Sequence, residues 1–229
     1  MTPAQQVADL TPHRQALLAF SRGKDAWGAW LAARDHLDLH PYHLYLVPGL
    51  EFEEEYMAYA ERVLGRRIIR LPHPGLYRML NNLVFQPHER IDTIFAAGLP
   101  NFTYDDVMAA ARKVAGIPDD AFTADGVRAA DSPMRRIALT RSQGVNLGSR
   151  KFSPCWDWNK ARLLDELTRA GIRLPVDYKL FSRTFDGIDL RFLIKVRAAF
   201  PRDYQRILDW FPLADMEIYR YEQAQKRDS

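Results

Sequence analysis

At 229 residues and 47% hydrophobic content, the chain is long enough to bury a core as one generous domain or a domain with a small appendage. Its net charge of +3 provides no basic block long enough for a nucleic-acid tail and tilts the balance toward an anionic ligand. The single cysteine, Cys155, excludes an internal disulfide and any four-cysteine zinc or iron–sulfur site built from one chain. With no long apolar run and no secretion-signal pattern, the expectation is a cytoplasmic protein that does not enter a membrane.

In chain order, RQALLAF (14–20) is a short apolar run after Pro12 and reads as a buried strand. A loop follows, and from Asp25 to Leu37 the recurrence of Trp27, Trp30, Leu31 and Leu37 predicts a helix that stops at Pro41. HLYLVPG (43–49) reads as a second strand, EFEEEY as the acidic first turn of a helix, and Arg67–Leu71 as a third strand. This alternation predicts an α/β fold, a parallel sheet flanked by helices in a Rossmann-like arrangement, with ligands at the carboxyl ends of the strands. Residues 75–115 are mostly helical in pattern, and Phe122–Val127 is a further strand entering a polar loop. DWNKARLLDELTRAG forms a helix with Asp157 near its start and Gly171 at its end, and helices broken at Pro201 complete the chain before a frayed EQAQKRDS tail. The expected division is a nucleotide-binding core at 1–150 and a helical C-terminal region at 151–229.

Two segments carry candidate chemistry. In FSRGKDAWGAW, a loop between a strand and a helix N-terminus exposes backbone N–H groups where the helix dipole favours an anion. Gly23 permits close approach, Ser21 offers a hydroxyl, Lys24 a charge, and Asp25 a cap or a contact to a metal-bound phosphate. The same residues also read as a capped helix with solvated charges, and they do not form a GxxxxGK[ST] loop. The second segment, Gly126–Arg135, sets Arg128 and Arg135 beside Asp131 and Ser132 on one loop, and guanidinium forks match phosphate or sulfate oxygens.

SRGKDA (21–26) resembles the S-G-G-K-D-S pyrophosphate loop of PP-loop enzymes, and GVRAADSPMR is similar to the G-x-R-x-x-[DE]-S-x-x-R segment of their phosphoadenosine-phosphosulfate (PAPS) reductase branch. LVPGLEFEEEY resembles that branch's T-G-x-x-F-x-E-T turn, and SPCWDWNKARLLDELTRAGIRLPVDYKLF its N-P-L-x-D-W helix and the stretch that follows. The likeness covers roughly residues 14–182 and points to a compact, phage-type member. It implies an adenine nucleotide alpha hydrolase-like fold that binds ATP or PAPS, with Mg²⁺ allowed and no iron–sulfur cluster. By position, Ser21, Arg22, Gly23, Lys24 and Asp25 would sit at the anion, Gly49 and Phe52 beside the nucleotide, and Gly126, Arg128, Ser132 and Arg135 at its charged end. Lys24, Arg128 and Arg135 would carry catalysis, by charge stabilisation of cleavage at the α-phosphate.

The departures are Arg22 where the loop has a glycine, Ala26 at its closing serine, and the lack of the C-terminal E-C-G-x-H segment that reductases use. Cys155 therefore reads either as a small buried hydrophobe or as a relocated nucleophile, with a partner's cysteine as the other source of a thiol. His36, His40 and His43 lack a further ligand at known spacing, so no metal is assigned. Arg66, Arg67, Arg135, Arg136, Arg141, Arg150 and Lys151 read as a solvated surface or as a face for a nucleic-acid partner. The acceptor, sulfur transfer or nucleic-acid modification included, stays open, and so does a non-catalytic module of a larger complex.

Overall fold

The computed structural model describes residues 1–227, which form an α/β protein. The first elements are α1 (Pro3–Leu10), β1 (Gln15–Ala19), α2 (Lys24–Ala33), β2 (Asp38–Tyr45), α3 (Glu51–Leu64) and β3 (Ile69–Pro72). Next come α4 (Pro74–Asn81), α5 (Ile91–Ala96), α6 (Tyr104–Ala115), β4 (Phe122–Ala124), α7 (Pro133–Ser142), β5 (Val145–Asn146) and β6 (Lys151–Phe152). The chain continues through α8 (Lys160–Arg169), α9 (Val176–Phe181), α10 (Leu190–Ala199), α11 (Pro201–Trp210) and α12 (Asp215–Arg227). The six strands form one sheet in the order β3-β2-β1-β4-β6-β5. β1 pairs in parallel with β2 and β4, β4 in parallel with β6, and β5 turns back antiparallel on β6.

β1 sits in mid-sheet because its apolar run is continuous: Ala16, Leu17 and Leu18 are all fully buried, as a strand covered on both faces requires. β2 begins five residues earlier than its pattern suggested and contains Pro41, which was expected to stop the preceding helix. The register explains the tolerance. Asp38 N–H donates to Arg14 and Phe20 N–H to Tyr42 O, so the even positions of β2 bond to β1. Pro41 is odd, and its missing N–H falls on the other side of the strand.

The described residues fall into two compact units. The first comprises residues 1–44, 59–71 and 104–175 and contains the sheet's central strands, with Trp27 of α2 edge-on to Phe20 at 5.0 Å and Leu163 of α8 fully buried. Residues 151–175 therefore stay with the first unit, because β6 extends the sheet and Leu163 of α8 packs against Gly28 of α2; the unit boundaries do not follow a cut at residue 150. The second unit comprises residues 45–58, 72–103 and the described residues from 176 onward. Its core gathers Phe52, Leu76, Phe192, Leu193, Ile207 and Phe211. The expected frayed tail is helical to Arg227, and its last two residues lie outside the described ones.

Within the second unit, Asp203 of α11 is almost fully buried and accepts from the first N–H groups of α3, Oδ1 from Glu51 N at 2.5 Å and Oδ2 from Phe52 N at 3.2 Å. It caps a helix 151 residues away in sequence. Replacing a capping carboxylate costs about 1–2 kcal/mol. Asp203→Ala should therefore lower the thermal midpoint by roughly 3–5 °C, while Asp203→Asn, which keeps an acceptor, should lose less than half of that. Equal losses in calorimetric melts would contradict a capping role.

Candidate functional site

The first unit's strand order reverses direction between β1 and β4: from β1 the chain steps outward to β2, whereas β4 lies on the opposite side. In open α/β sheets the carboxyl ends of two such strands border a crevice. The SRGKDA loop leaves β1 there and the Gly126 loop leaves β4 there, so the fold brings together two motifs more than 100 residues apart.

Their approach is close. A Cβ on Gly126 would stand 2.5 Å from both the carbonyl carbon and the oxygen of Asp25, in the first turn of α2, so only glycine fits. Arg128 fastens the two loops. Its side chain is 5% exposed, with Nε 2.9 Å from Asp25 Oδ1 in ion-pair contact that lacks hydrogen-bond alignment. Nη2 donates to Asp131 Oδ1 at 2.9 Å, and Nη1 reaches the Trp158 carbonyl at 3.4 Å. The ion pairs continue outward: Lys24 Nζ lies 2.7 Å from Asp25 Oδ2, and Arg135 Nη1 3.3 Å from Asp131 Oδ2. The order Lys24–Asp25–Arg128–Asp131–Arg135 alternates in sign and contains one more cation than anion.

The other expected residues are placed as follows. Ser21 is exposed at the end of β1. Arg22 is fully buried with φ at 66°, a left-handed conformation that costs a non-glycine residue about 1–2 kcal/mol and accounts for glycine in the resembled pattern. Gly23 is the N-cap of α2 and offers no side chain to the helix's first N–H groups. Arg135 is not on a loop, as expected, but in the first turn of α7, where Ser132 Oγ accepts from its backbone N–H at 3.2 Å. The segment after Cys155 supports the assembly, with Ala129 N–H donating to the Trp156 carbonyl at 2.8 Å. Its helix is capped by Asn159 Oδ1 instead of Asp157.

Gly49 and Phe52 belong to the second unit. The Gly49 carbonyl accepts from Arg206, and the Phe52 ring stacks on Phe200 with centroids 4.8 Å apart and lies edge-on to Phe185. Phe52 is thus a core residue of that unit.

Sequence reasoning missed Asp125 and its neighbours. Asp125 follows β4 directly, and its Oδ1 accepts from Ser153 Oγ at 2.6 Å and Val127 N at 3.1 Å. Burial raises its carboxyl above the usual range, with the Ser153 hydrogen bond opposing the shift. Tyr42, level with Ala19 in the register, is pushed up to about 12 by burial and by the Asp125 carboxylate, and so stays a hydroxyl donor. The readable signal for Asp125 was its position, the first polar residue beyond an apolar strand end.

Cys155 is fully buried, and burial, with Asp25 next in weight, pushes its thiol up to about 12. Such a thiol is inert at neutral pH. His40 and His43 lie three residues apart on β2, so they point to opposite faces of the sheet. Among the described residues no three His, Cys, Asp or Glu side chains group to hold a metal ion, and no helix is long and apolar enough to cross a membrane.

No protein-family model matches the chain, and no curated protein matches it. The chain is an α/β protein with a mostly parallel sheet and a charge-alternating cluster at the sheet's carboxyl edge.

The close contact at Gly126 gives a direct check. Gly126→Ala forces a methyl group into backbone and should destabilise the protein by about 2 kcal/mol, roughly 5 °C in thermal midpoint. A midpoint within about 1 °C of wild type would mean that the two loops are not in contact in solution.

Proposed function

We propose that the first unit binds an adenine nucleotide, ATP or PAPS, with its anionic end over the N-terminus of α2, and cleaves ATP at the α-phosphate to activate an acceptor. The observation that carries this reading is the meeting of the SRGKDA and Gly126 loops at the point where the strand order reverses. The resemblance to the PAPS reductase-like branch of PP-loop enzymes supplies the ligand class.

The roles follow from exposure. The uncapped first turn of α2 supplies backbone donors and a positive dipole end to phosphate. Lys24 and Arg135 stand at the outer ends of the ion-pair chain and can turn from a carboxylate to a phosphate oxygen without leaving a buried charge bare. Arg128, buried at the centre, positions the loops and is not the group that meets the anion. Attack on the α-phosphorus expels pyrophosphate, and the accumulating negative charge is stabilised by Lys24, Arg135 and the loop amides. Mg²⁺ would arrive with the nucleotide's phosphates and neutralise part of their charge.

The buried, high-pKa thiol of Cys155 disfavours a reductase that attacks with that residue. A second reading is favoured by the ion pairs themselves. With Lys24 and Arg128 already engaged by carboxylates, the unit could hold a nucleotide without turning it over, as a module of a larger complex.

Titration calorimetry with ATP, PAPS and AMP separates these readings. Binding of ATP or PAPS that weakens about tenfold in Lys24→Ala and in Arg135→Ala, with AMP weaker than either, fits the proposal; each lost charge-assisted contact corresponds to about 1.5–3 kcal/mol before compensation. Absence of heat with all three ligands would refute the nucleotide reading. Binding without release of AMP and pyrophosphate would select the module.

A further inference from the structure

α7 is a ten-residue helix without a single buried residue. Helices this short owe their stability mainly to packing, so one with so little of its surface covered offers a face to a partner. Its inner side is set by Arg135, which reaches back to Asp131, and by half-buried Leu139. At helical spacing, Met134, Ile137 and Arg141 then share the outer side, and Arg136 is exposed on a separate side of the helix. Met134 is 75% and Ile137 67% exposed.

The charge of this region identifies what would cover it. From Ser132 to Lys151 the chain carries Arg135, Arg136, Arg141, Arg150 and Lys151 and not one aspartate or glutamate, so this segment's charge exceeds the +3 of the whole protein. Arg150 and Lys151 make long contacts, to the Asp119 carbonyl at 3.4 Å and the Asp105 carboxylate at 3.8 Å. Thr140, Gln143, Asn146 and Ser149 add uncharged donors along the same segment, all of them exposed. A row of guanidinium groups interleaved with hydroxyls, amides and two apolar side chains matches a phosphodiester backbone with partly exposed bases. The helix also leads away from the candidate site: its first turn holds Arg135, the last member of the ion-pair chain.

We propose that α7 and the β5–β6 hairpin form a polynucleotide-binding face that delivers a nucleic-acid acceptor to the carboxyl edge of the sheet. The binding face stands on the charge and exposure of α7 and the hairpin; the acceptor role rests on the nucleotide-activation reading above. Arg136 and Arg141 are the cations of α7 that do not belong to the ion-pair chain of the nucleotide site, and they carry phosphate contacts.

The test is fluorescence anisotropy without added nucleotide, so that its failure is distinct from failure of ATP or PAPS binding. The probes are fluorescein-labelled oligonucleotides of about 20 residues, as single-stranded DNA, duplex DNA and single-stranded RNA, titrated at several salt concentrations. The expected result is binding by at least one probe that weakens about 100-fold between roughly 50 and 200 mM salt, as three to four phosphate contacts require. Arg136→Glu/Arg141→Glu should weaken it at least tenfold at about 50 mM salt and flatten the salt slope by about 1.5–2, with an unchanged thermal midpoint because both residues are exposed. Failure of wild type to bind any of the three would overturn the proposal. So would charge-reversed protein that binds as well as wild type, or polyglutamate that competes as strongly as unlabelled oligonucleotide, which would assign the face to an acidic protein partner.

Discussion

The candidate site depends on one buried guanidinium. Arg128 lies in a low-dielectric position where an unpaired charge costs several kcal/mol, and only carboxylates from both sides make its burial tolerable. Asp25 comes from the first turn of α2 and Asp131 from the turn before α7, so satisfying Arg128 fixes both loops. Everything nearby follows from that demand. Gly126 must lack a side chain because Asp25 has been drawn against it, and the Trp156 and Trp158 carbonyls face the loop because its remaining donors point there.

The same demand shapes what the site can do. Two carboxylates serve three cations, and the cation at the centre cannot leave without exposing an unpaired charge to the protein interior. The two outer cations are each partly open to solvent, Lys24 at 19% and Arg135 at 54% of side-chain area, and can exchange partners at low cost. The proposed anion would therefore meet a prepositioned pair of loops with exchangeable charge at its ends. In the proposed reading this division of labour gives Arg128, which by motif alone reads as a phosphate ligand, a positioning role.

The legible parts of the fold were those written locally. β1 is an apolar run without interruption, and α8 shows its periodicity and its terminal glycine within fifteen residues. Pro41 misled because the side on which a strand can dispense with a donor depends on register, which is a property of two strands. β6, two residues long, is too short to display a period, so its place in the sheet and the position of residues 151–175 could not be read. Asp203 caps α3 across 151 residues, and Phe52 packs on Phe200 in the second unit's core; neither pairing leaves a trace in local pattern. The motifs of the first unit were recognised as segments, but the Arg128–Asp25 ion pair that joins two of them, and the carbonyls of Trp156 and Trp158 that hold the third, are roles only three dimensions reveal.

The central claim is that the Arg128–Asp25 pair couples the two loops and thereby builds the anion site. A double-mutant cycle of Asp25→Asn and Arg128→Met, read both in thermal stability and in nucleotide affinity by calorimetry, tests it most directly. The account predicts strong non-additivity in both, with a coupling of about 1–3 kcal/mol in stability and a double variant less impaired than the sum of the singles. Additive effects in stability, or full nucleotide affinity in Arg128→Met, would contradict it.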